Sequence, residues 1–265
     1  MELVVLGCSG SVGGPDSPAS GYMVKDSAGH QLLLDCGPGV LAAMQAEKDI
    51  DPANCHVAFS HMHADHCLDF PSLLVWRRFH PTAPAQGTHT MLGPTIAYEH
   101  LSYAGGDYPD QPDAFADTFE VRRHHAGAGR FSGESYPATA IGDLTVYSTR
   151  AVHPTESYIL RVEDAAGRSL VYSGDTGWTE NLVDIAAGAD VLLCEATWGE
   201  CSGGKPEGMH LCGGDAGRAA RLAGVRTLIL THIPPWGDAE ATRRSAAVEF
   251  DGEILVATQG MRHAI

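Results

Sequence analysis

The chain has 265 residues, of which 44% are hydrophobic and 19% are charged, and its formal net charge is −16. This size and composition predict one globular domain over residues 1–265 that buries enough apolar surface to fold without cross-links. The 17 basic residues never form a run. Because a long nucleic acid is normally held by several Lys or Arg contacts to phosphate, the charge pattern disfavours such a partner.

The start of the chain and its cysteines both predict a cytoplasmic protein without a membrane span. An acidic residue and a strand-like run open the chain, rather than the basic and long apolar regions of a signal peptide, and no apolar run is long enough to cross a membrane. The seven cysteines are scattered and form no C-x-x-C pair. They are expected to be reduced, with a Cys201–Cys212 disulfide as the disfavoured alternative.

Short strand-like runs alternate with helical segments along the chain. In the first half, strands are predicted at residues 2–6, 22–25, 31–34 and 56–60, and helices at 40–47 and 69–78. Residues 79–133 are rich in Pro, Gly and His. They are expected to hold a strand near 91–92, a helix near 95–103, and loops over the functional site.

In the second half, strands are predicted at residues 144–152, 157–162, 169–173, 191–195, 227–230 and 254–257, and helices at 181–187, 214–222 and 239–248. Each half is rich in strands and closes with helices. This order favours the α/β class and an αββα sandwich, in which two sheets pack face to face with helices outside. Periodicity alone also allows a doubly wound sheet.

The segment His61-Met62-His63-Ala64-Asp65-His66 directly follows the predicted strand at residues 56–60. It therefore lies at the carboxyl end of a strand, where open α/β folds place their functional sites. Imidazole and carboxylate are ligands that divalent transition metals prefer, and few structural roles need four of them in six residues. The plain alternative is a solvated turn with chance histidines.

Three further candidate ligands, His153, Asp175 and His232, each lie where an apolar run stops. Taken singly, a His after a strand is more often an ordinary hydrogen-bonded residue, and Asp175 could cap the helix that follows it. Taken together, four segments that end in ligand-type residues at one sheet edge predict a metal centre.

These residues resemble the ligand motifs of the metallo-β-lactamase superfamily, in order and over nearly the whole chain. The resemblance implies two divalent metal ions, with Zn²⁺ expected and Mn²⁺ or iron as alternatives. The implied ligands are His61, His63 and His153 for one ion, Asp65, His66 and His232 for the other, and Asp175 as the bridge. A carboxylate at position 175, where another branch has Cys, together with Asp65, indicates dinuclear phosphodiesterases rather than true β-lactamases.

Other segments narrow the resemblance. Cys194-Glu195-Ala196-Thr197 and His210-Leu211 are similar to motifs of the ribonuclease Z group. The closest overall likeness is to the short actinobacterial cyclic-AMP phosphodiesterases of that group, through residues 6–12, 15–22, 66–69, 153–157 and 230–236. The resemblance thus implies hydrolysis of a small cyclic nucleotide, 3′,5′-cyclic AMP to 5′-AMP, and a homodimer.

In such a reaction a metal-activated water attacks phosphorus, and an acid protonates the departing ribose oxygen. His210 is the candidate acid, oriented by Glu195 or Asp215; the alternative is an ordinary residue before a helix. Asp65 is expected to hydrogen-bond the attacking water, and Asp35 to orient a ligand histidine.

Two other functions stay open. Ribonuclease Z processes transfer-RNA 3′ ends, but the 21 residues between His153 and Asp175 leave no room for its long arm, and residues 9–20 contain no basic residue. The second is a metal-stabilised binding module without catalysis, against which the full ligand set argues.

Three smaller features complete the expectations. The glycine-rich loop at residues 7–14 is expected to be a tight turn beside the metals, because it lacks the lysine and spacing of phosphate-binding loops. Trp236 is expected either to stack on a base or to be an aromatic residue packed in the core or at the rim of the site. The pair His124-His125 is expected at the surface.

Overall fold

A computed structural model describes all 265 residues. The first half contains β1 (Glu2–Gly7), β2 (Gly21–Lys25), β3 (Gln31–Leu34), α1 (Val40–Ala46), β4 (His56–Ala58), α2 (Ala64–Cys67), α3 (Phe70–Phe79), β5 (His89–Gly93), α4 (Ala97–Gly105) and β6 (Phe119–Arg123). The second half contains β7 (Thr139–Ile141), β8 (Leu144–Arg150), β9 (Tyr158–Glu163), β10 (Ser169–Tyr172), α5 (Glu180–Ile185), β11 (Val191–Glu195), α6 (Gly213–Ala223), β12 (Thr227–Thr231), α7 (Ala239–Ala247), β13 (Glu253–Val256) and β14 (Arg262–Ala264).

Two seven-stranded sheets form the centre of the molecule. Their strand orders are β14-β1-β2-β3-β4-β5-β6 and β13-β12-β11-β10-β9-β8-β7. Three clusters of buried side chains define the layers. Leu3 and Val5 of β1 belong to the cluster that contains residues of both sheets, whereas Val4 and Leu6 of the same strand pack with the helices of the first half. A third cluster joins the second sheet to α5 and α6. The predicted αββα sandwich is confirmed.

Strand direction in the second sheet decides where the polar loops meet. β10, β11, β12 and β13 are parallel, and β9 is antiparallel to both β8 and β10. β8 therefore runs in the same direction as β10, β11 and β12. The loops that follow these four strands consequently leave the sheet at the same edge, which is the edge that carries the candidate ligands.

The sequence prediction missed three edge strands, β6, β7 and β14, and the short helix α2. β6 contains Glu120, Arg122 and Arg123, and β14 reads Arg-His-Ala, so neither shows the apolar alternation that identifies a strand. β14 forms because the edge of β1 offers unpaired backbone groups to the returning chain end. Residues 79–133 mostly extend the outer edge of the first sheet, and the cavities beside the candidate site are lined by other segments.

Two expectations about individual residues are wrong. Cys201 and Cys212 form a disulfide, whereas the other five cysteines are free. The spacing of the cysteines does not predict this disulfide, because the chain brings Cys201 close to Cys212 only through the turn that leads into α6. His124, the residue directly after β6, is buried, unlike the exposed His125, because its imidazole points inward and hydrogen-bonds the backbone oxygen of Phe59 at 2.8 Å. No helix combines the length and apolar character that a membrane crossing requires.

Candidate metal centre

The seven candidate ligands converge at one edge of the sandwich although they span residues 61 to 232. His61, His63, Asp65 and His66 follow β4 in the first sheet, and the remaining three follow β8, β10 and β12 in the second. Their donor atoms fall into two sets, in each of which all atoms lie within 4.8 Å of one another. One set is His61, His63, His153 and Asp175, and the other is Asp65, His66, Asp175 and His232. Asp175 belongs to both sets.

The two oxygens of the buried Asp175 carboxylate face different histidines. Its Oδ1 lies 3.2 Å from His66 Nε2 and 3.5 Å from His232 Nε2. Its Oδ2 lies 3.7 Å from His61 Nε2 and 4.0 Å from His153 Nε2. The carboxylate is therefore placed between the two halves of the cluster, one oxygen toward each.

A hydrogen bond fixes the ring orientation of four of the histidines. The Nδ1–H of His66 donates to Asp35 at 2.7 Å, and that of His153 donates to the carbonyl oxygen of Met209 at 2.8 Å. His61 and His232 donate through Nδ1 to the hydroxyls of Ser60 (3.0 Å) and Thr197 (2.8 Å), which themselves donate to carboxylates. In all four rings this leaves Nε2 to face the cluster, and Nε2 is the nitrogen that a metal-binding histidine would use once it is unprotonated.

Asp35 is the fully buried carboxylate that connects these contacts. Besides His66, it accepts hydrogen bonds from the backbone N–H and hydroxyl of Ser60 and from the Tyr172 hydroxyl at 2.8 Å. The left-handed backbone of Asp35 (φ 59°) and of His232 (φ 56°) is unusual for residues with a side chain. Such conformations persist where surrounding contacts determine them, and they cluster at functional sites.

The protonation states suit cation binding at most positions. Burial lowers the pKa of His61 well below its ordinary value, and it also lowers the pKa of His153. Burial alone would raise the pKa of Asp175, but the nearby His232 and His66 outweigh it and hold that pKa well below the usual range. Neutral imidazoles and ionised carboxylates are the forms that coordinate metals. At His66, Asp175 and Asp35 outweigh burial and raise the pKa, so a cation bound there must displace a proton.

A family model described as a beta-lactamase superfamily domain matches residues 30–233. The chain belongs to the beta-lactamase superfamily. As a member, it is a metal-dependent hydrolase, and membership implies divalent metal ions.

Relatives of this superfamily member cover almost its full length. The uncharacterized protein ML1173 of Mycobacterium leprae is 48% identical over 260 residues, covering 98% of this chain and 87% of the relative. A ribonuclease Z of Haloarcula marismortui is 28% identical over 306 residues, covering 100% of this chain and 97% of the relative. The crystal structure of the metallo-beta-lactamase fold protein YhfI from Bacillus subtilis has a TM-score of 0.80 at 24% identity, covering 99% of this chain and 98% of that one.

The donor set fits the divalent metals that the superfamily implies. His61 Nε2 and Asp175 Oδ1 are buried without any hydrogen-bond partner. A buried polar atom left without a partner costs free energy, so such atoms in a native site call for an explanation. Cations ligated by these two atoms and their neighbours would supply the missing partners.

A second pair of side chains lies beside the donor sets. His210 Nδ1 is 3.0 Å from Glu195 Oε1 and 3.8 Å from Asp175 Oδ2. Glu195, at the end of β11, also accepts hydrogen bonds from Thr176 N and from both the N–H and hydroxyl of Thr197. Burial would lower the pKa of His210, but the hydrogen bond and charge of Glu195 outweigh it and raise that pKa. The sequence left open whether Glu195 or Asp215 orients His210, and in the structure His210 contacts Glu195.

Asp215, the other candidate for orienting His210, makes its hydrogen bonds at the start of α6 and not with His210. Its carboxylate accepts from the backbone N–H of Cys212 at the start of α6. Asp35 lies beside a ligand histidine, as predicted, whereas the roles of Ser60, Thr197 and Tyr172 were not predicted. Thr197 stands inside the Cys194-Glu195-Ala196-Thr197 motif, which was a signal for it. Nothing local to Ser60 or Tyr172 reveals their contact with Asp35.

The glycine-rich loop lies against the centre. Gly10 N donates to the carbonyl oxygen of Ile233 at 3.2 Å, and Ser11 N lies 3.4 Å from His232 Nε2. A Cβ on Gly10 would approach the backbone oxygen of His232 to 2.1 Å, so only glycine permits this contact. The loop is thus a tight turn that packs on a candidate ligand.

Proposed function

We propose that this hydrolase is a phosphodiesterase that converts 3′,5′-cyclic AMP to 5′-AMP at a centre of two metal ions. The observation that carries the proposal is the position of Asp175, whose two oxygens face two separate groups of donor atoms. One ion, for which Zn²⁺ is our first choice, would be held by His61, His63 and His153. The other would be held by Asp65, His66 and His232, and Asp175 would contact both.

Two ions at such a centre supply an activated water and positive charge for the phosphoryl oxygens. The chain's own groups have to orient that water and to deliver a proton. The Asp65 carboxylate is 3.1 Å from His232 Nε2, and its hydrogen bonds to His232 and His66 outweigh burial and lower its pKa. It is therefore an ionised acceptor that can orient a water at the centre.

His210 is the proposed proton donor to the departing ribose oxygen. Glu195 holds its Nδ1–H, which leaves Nε2 as the ring nitrogen that can transfer a proton. The raised pKa keeps the ring protonated to higher pH than an ordinary histidine. A general acid contributes most when its pKa lies near the working pH, which suits this arrangement.

A small substrate fits the chain better than a large RNA. Between His153 and Asp175 the chain forms only the β9–β10 hairpin, with a short turn and no projecting arm. The net charge of −16 opposes the many phosphate contacts that a transfer-RNA precursor would need. A cyclic nucleotide presents a single phosphodiester.

Transfer-RNA 3′-end cleavage is the second candidate, because the similarity to the Haloarcula ribonuclease Z extends along the full chain. The two functions separate in one assay of metal-loaded protein with cyclic AMP, 2′,3′-cyclic nucleotides, bis(p-nitrophenyl) phosphate and precursor transfer RNA. The wild-type protein should convert cyclic AMP to 5′-AMP, and an Asp65→Ala variant should not hydrolyse cyclic AMP.

The same assay can contradict the proposal. Cleavage of precursor transfer RNA that exceeds turnover of cyclic AMP, and that falls steeply with added salt, would favour the ribonuclease. No hydrolysis of any phosphodiester by protein that holds far fewer than two metal ions per chain would favour a binding module.

A further inference from the structure

A cavity of about 390 Å³ lies next to the candidate metal centre. Ser11 and Thr197 line its inner wall, and both contact the imidazole of His232. Lys205 and Trp236 also line it. Binding sites for small molecules commonly have volumes of a few hundred cubic ångströms and combine aromatic walls with a few polar groups. A substrate whose phosphate reaches the metal centre could place an attached group in this cavity.

Trp236 presents an open aromatic surface at the cavity. It is 74% exposed, and it is the only one of the four tryptophans that is exposed. It is the third residue of the tight turn Pro234–Gly237, whose first two residues are prolines and in which Gly237 N donates to the carbonyl oxygen of Pro234 at 2.8 Å. Because proline fixes its own φ, the backbone that carries Trp236 is restrained before any ligand arrives. Flat aromatic surfaces of this kind can stack on any of the nucleobases, because every base has a π-face.

We propose that the base of a nucleotide substrate stacks on Trp236 in this cavity while its phosphate occupies the metal centre. The inference rests on the proposed function and deepens it, because it assigns base-bearing phosphodiesters rather than phosphodiesters in general as the substrate class. Trp236 is then a specificity residue that acts on binding and does not take part in the chemical step.

The neighbouring cavity is less suited to the base. It has a volume of about 560 Å³ and is lined by Trp178, Trp198 and His210, among others. The guanidinium carbon of Arg218 lies 4.4 Å from the centre of the Trp178 ring, so one face of that ring is already covered. Trp178 also packs against the buried cluster of the second half of the chain. Trp236 has no such cover.

Lys205 gives the cavity a positive charge. It is one of only three lysines in this acidic chain, and it lines both cavities. Its Nζ lies 5.2 Å from the centre of the Trp198 ring, which positions the ammonium group between the two cavities. A cation here attracts an anionic ligand toward the centre against the repulsion of the net negative charge.

The test compares two inhibitors of bis(p-nitrophenyl) phosphate hydrolysis by the metal-loaded protein: AMP, which carries a base, and ribose 5-phosphate, which does not. In Trp236→Ala, the inhibition constant of AMP should rise about tenfold, whereas that of ribose 5-phosphate should stay within twofold. Trp236→Phe keeps an aromatic ring and should restore most of the AMP affinity. Trp178→Leu, the matched control from the neighbouring cavity, should change neither constant.

With cyclic AMP as substrate, the same Trp236→Ala variant should show a KM about tenfold higher and a nearly unchanged kcat. Equal weakening of AMP and ribose 5-phosphate, no weakening of AMP, or a selective loss of AMP affinity in Trp178→Leu would each overturn the assignment. These outcomes differ from failure of the proposed function, in which the wild-type protein hydrolyses no phosphodiester. If the wild-type protein hydrolyses no phosphodiester, equilibrium dialysis can still measure the affinity of the metal-loaded variants for AMP and thereby test the stacking.

Discussion

His210 and Glu195 are the side chains on which protonation of the leaving oxygen is expected to depend. The two residues stand 15 positions apart, one at the end of β11 and the other in the loop before α6. Because Glu195 is buried and accepts three hydrogen bonds besides that of His210, its position is fixed by the fold. His210 in turn gains its orientation and its raised pKa from Glu195.

Removing the proton donor should affect substrates according to their leaving groups. In His210→Ala, kcat for cyclic AMP should fall about 10²- to 10⁴-fold, because the ribose alkoxide is a poor leaving group. Hydrolysis of bis(p-nitrophenyl) phosphate should fall less than about tenfold, because nitrophenolate departs without a proton. Steady-state kinetics on both substrates checks this, with metal content measured to show that the ligands are intact. Equal losses on both substrates would contradict the role.

His124 gives the stability of the protein a specific pH dependence. Its Nε2–H is bonded to the Phe59 carbonyl, its Nδ1 has no partner, and burial lowers its pKa to about 4 from an ordinary 6.5. A proton therefore binds more readily to the unfolded chain between these pH values, so stability is retained above pH 6.5 and lost as the pH falls toward 4.

The size of this effect can be measured by urea unfolding. Between pH 7 and pH 5 the His124 term should remove about 2 kcal/mol of the free energy of unfolding. His124→Gln should therefore lose about 2 kcal/mol less than the wild type over the same interval. Parallel losses in the two proteins would show that His124 is not the source.

At the scale of elements, α6 and α7 pack closely because two glycines of α6 face α7. A Cβ on Gly213 would lie 2.2 Å from the backbone oxygen of Thr242, and one on Gly217 would lie 2.4 Å from that of Ala246. The obstructing atoms are backbone, so a larger residue at either position has to move a helix. This contact positions α6 directly after the loop that carries His210.

Gly217→Ala should therefore lower the free energy of unfolding by about 1 to 3 kcal/mol, since overpacking outweighs the higher helix propensity of alanine. Leu222→Ala, on the partly exposed side of the same helix, should stay within about 0.5 kcal/mol of the wild type. Chemical unfolding of both variants checks the difference. A higher free energy of unfolding for Gly217→Ala would show that α7 can move to accommodate the methyl group without loss of stability.

The Cys201–Cys212 disulfide ties Cys201, within the same loop, to the residue directly before α6. In denaturant without reductant, a thiol reagent should therefore modify five cysteines per chain, and seven after reduction. Because the bond closes a loop of about a dozen residues, its loss should lower the free energy of unfolding by about 3 kcal/mol. Seven reactive thiols before reduction would show that all cysteines are reduced, as their spacing predicted.

For the whole molecule, metal binding and folding are expected to be linked but separable. Three buried clusters of 21 to 23 residues hold the sandwich together, and most of their members lie away from the ligands. A chelator should therefore abolish hydrolysis while the chain stays folded. The apoprotein should melt at a lower temperature, since each ion present at a hundredfold excess over its Kd stabilises the native state by about 2.7 kcal/mol.

Circular dichroism melting with elemental analysis tests this linkage. Asp175→Asn should bind fewer than two ions and gain less from added metal, because this residue contacts both donor sets. Unfolding of the wild-type chain on chelation would show instead that the metals hold the two sheets together.

The fold was predictable in outline because burial imposes local patterns. β11 and β12 are covered on both faces, so their sequences are nearly continuous apolar runs, and the residues that interrupt such runs mark strand ends. The strands at residues 31–34 and 191–195 were predicted with the bounds observed. β6, β7 and β14 were missed because each is short and forms at a sheet edge where a neighbouring strand offers hydrogen bonds, which its own sequence does not record.

The sequence by itself determined which side chains are available as ligands and that each follows a strand. Only the tertiary structure decided that β8, β10, β11 and β12 run in one direction, so that their loops meet. It also decided that Tyr172 reaches Asp35 across 137 positions and that Cys201 meets Cys212. The physical reason is that hydrogen bonds and packing between distant segments depend on strand direction and register, whereas sequence patterns record mainly burial along each segment.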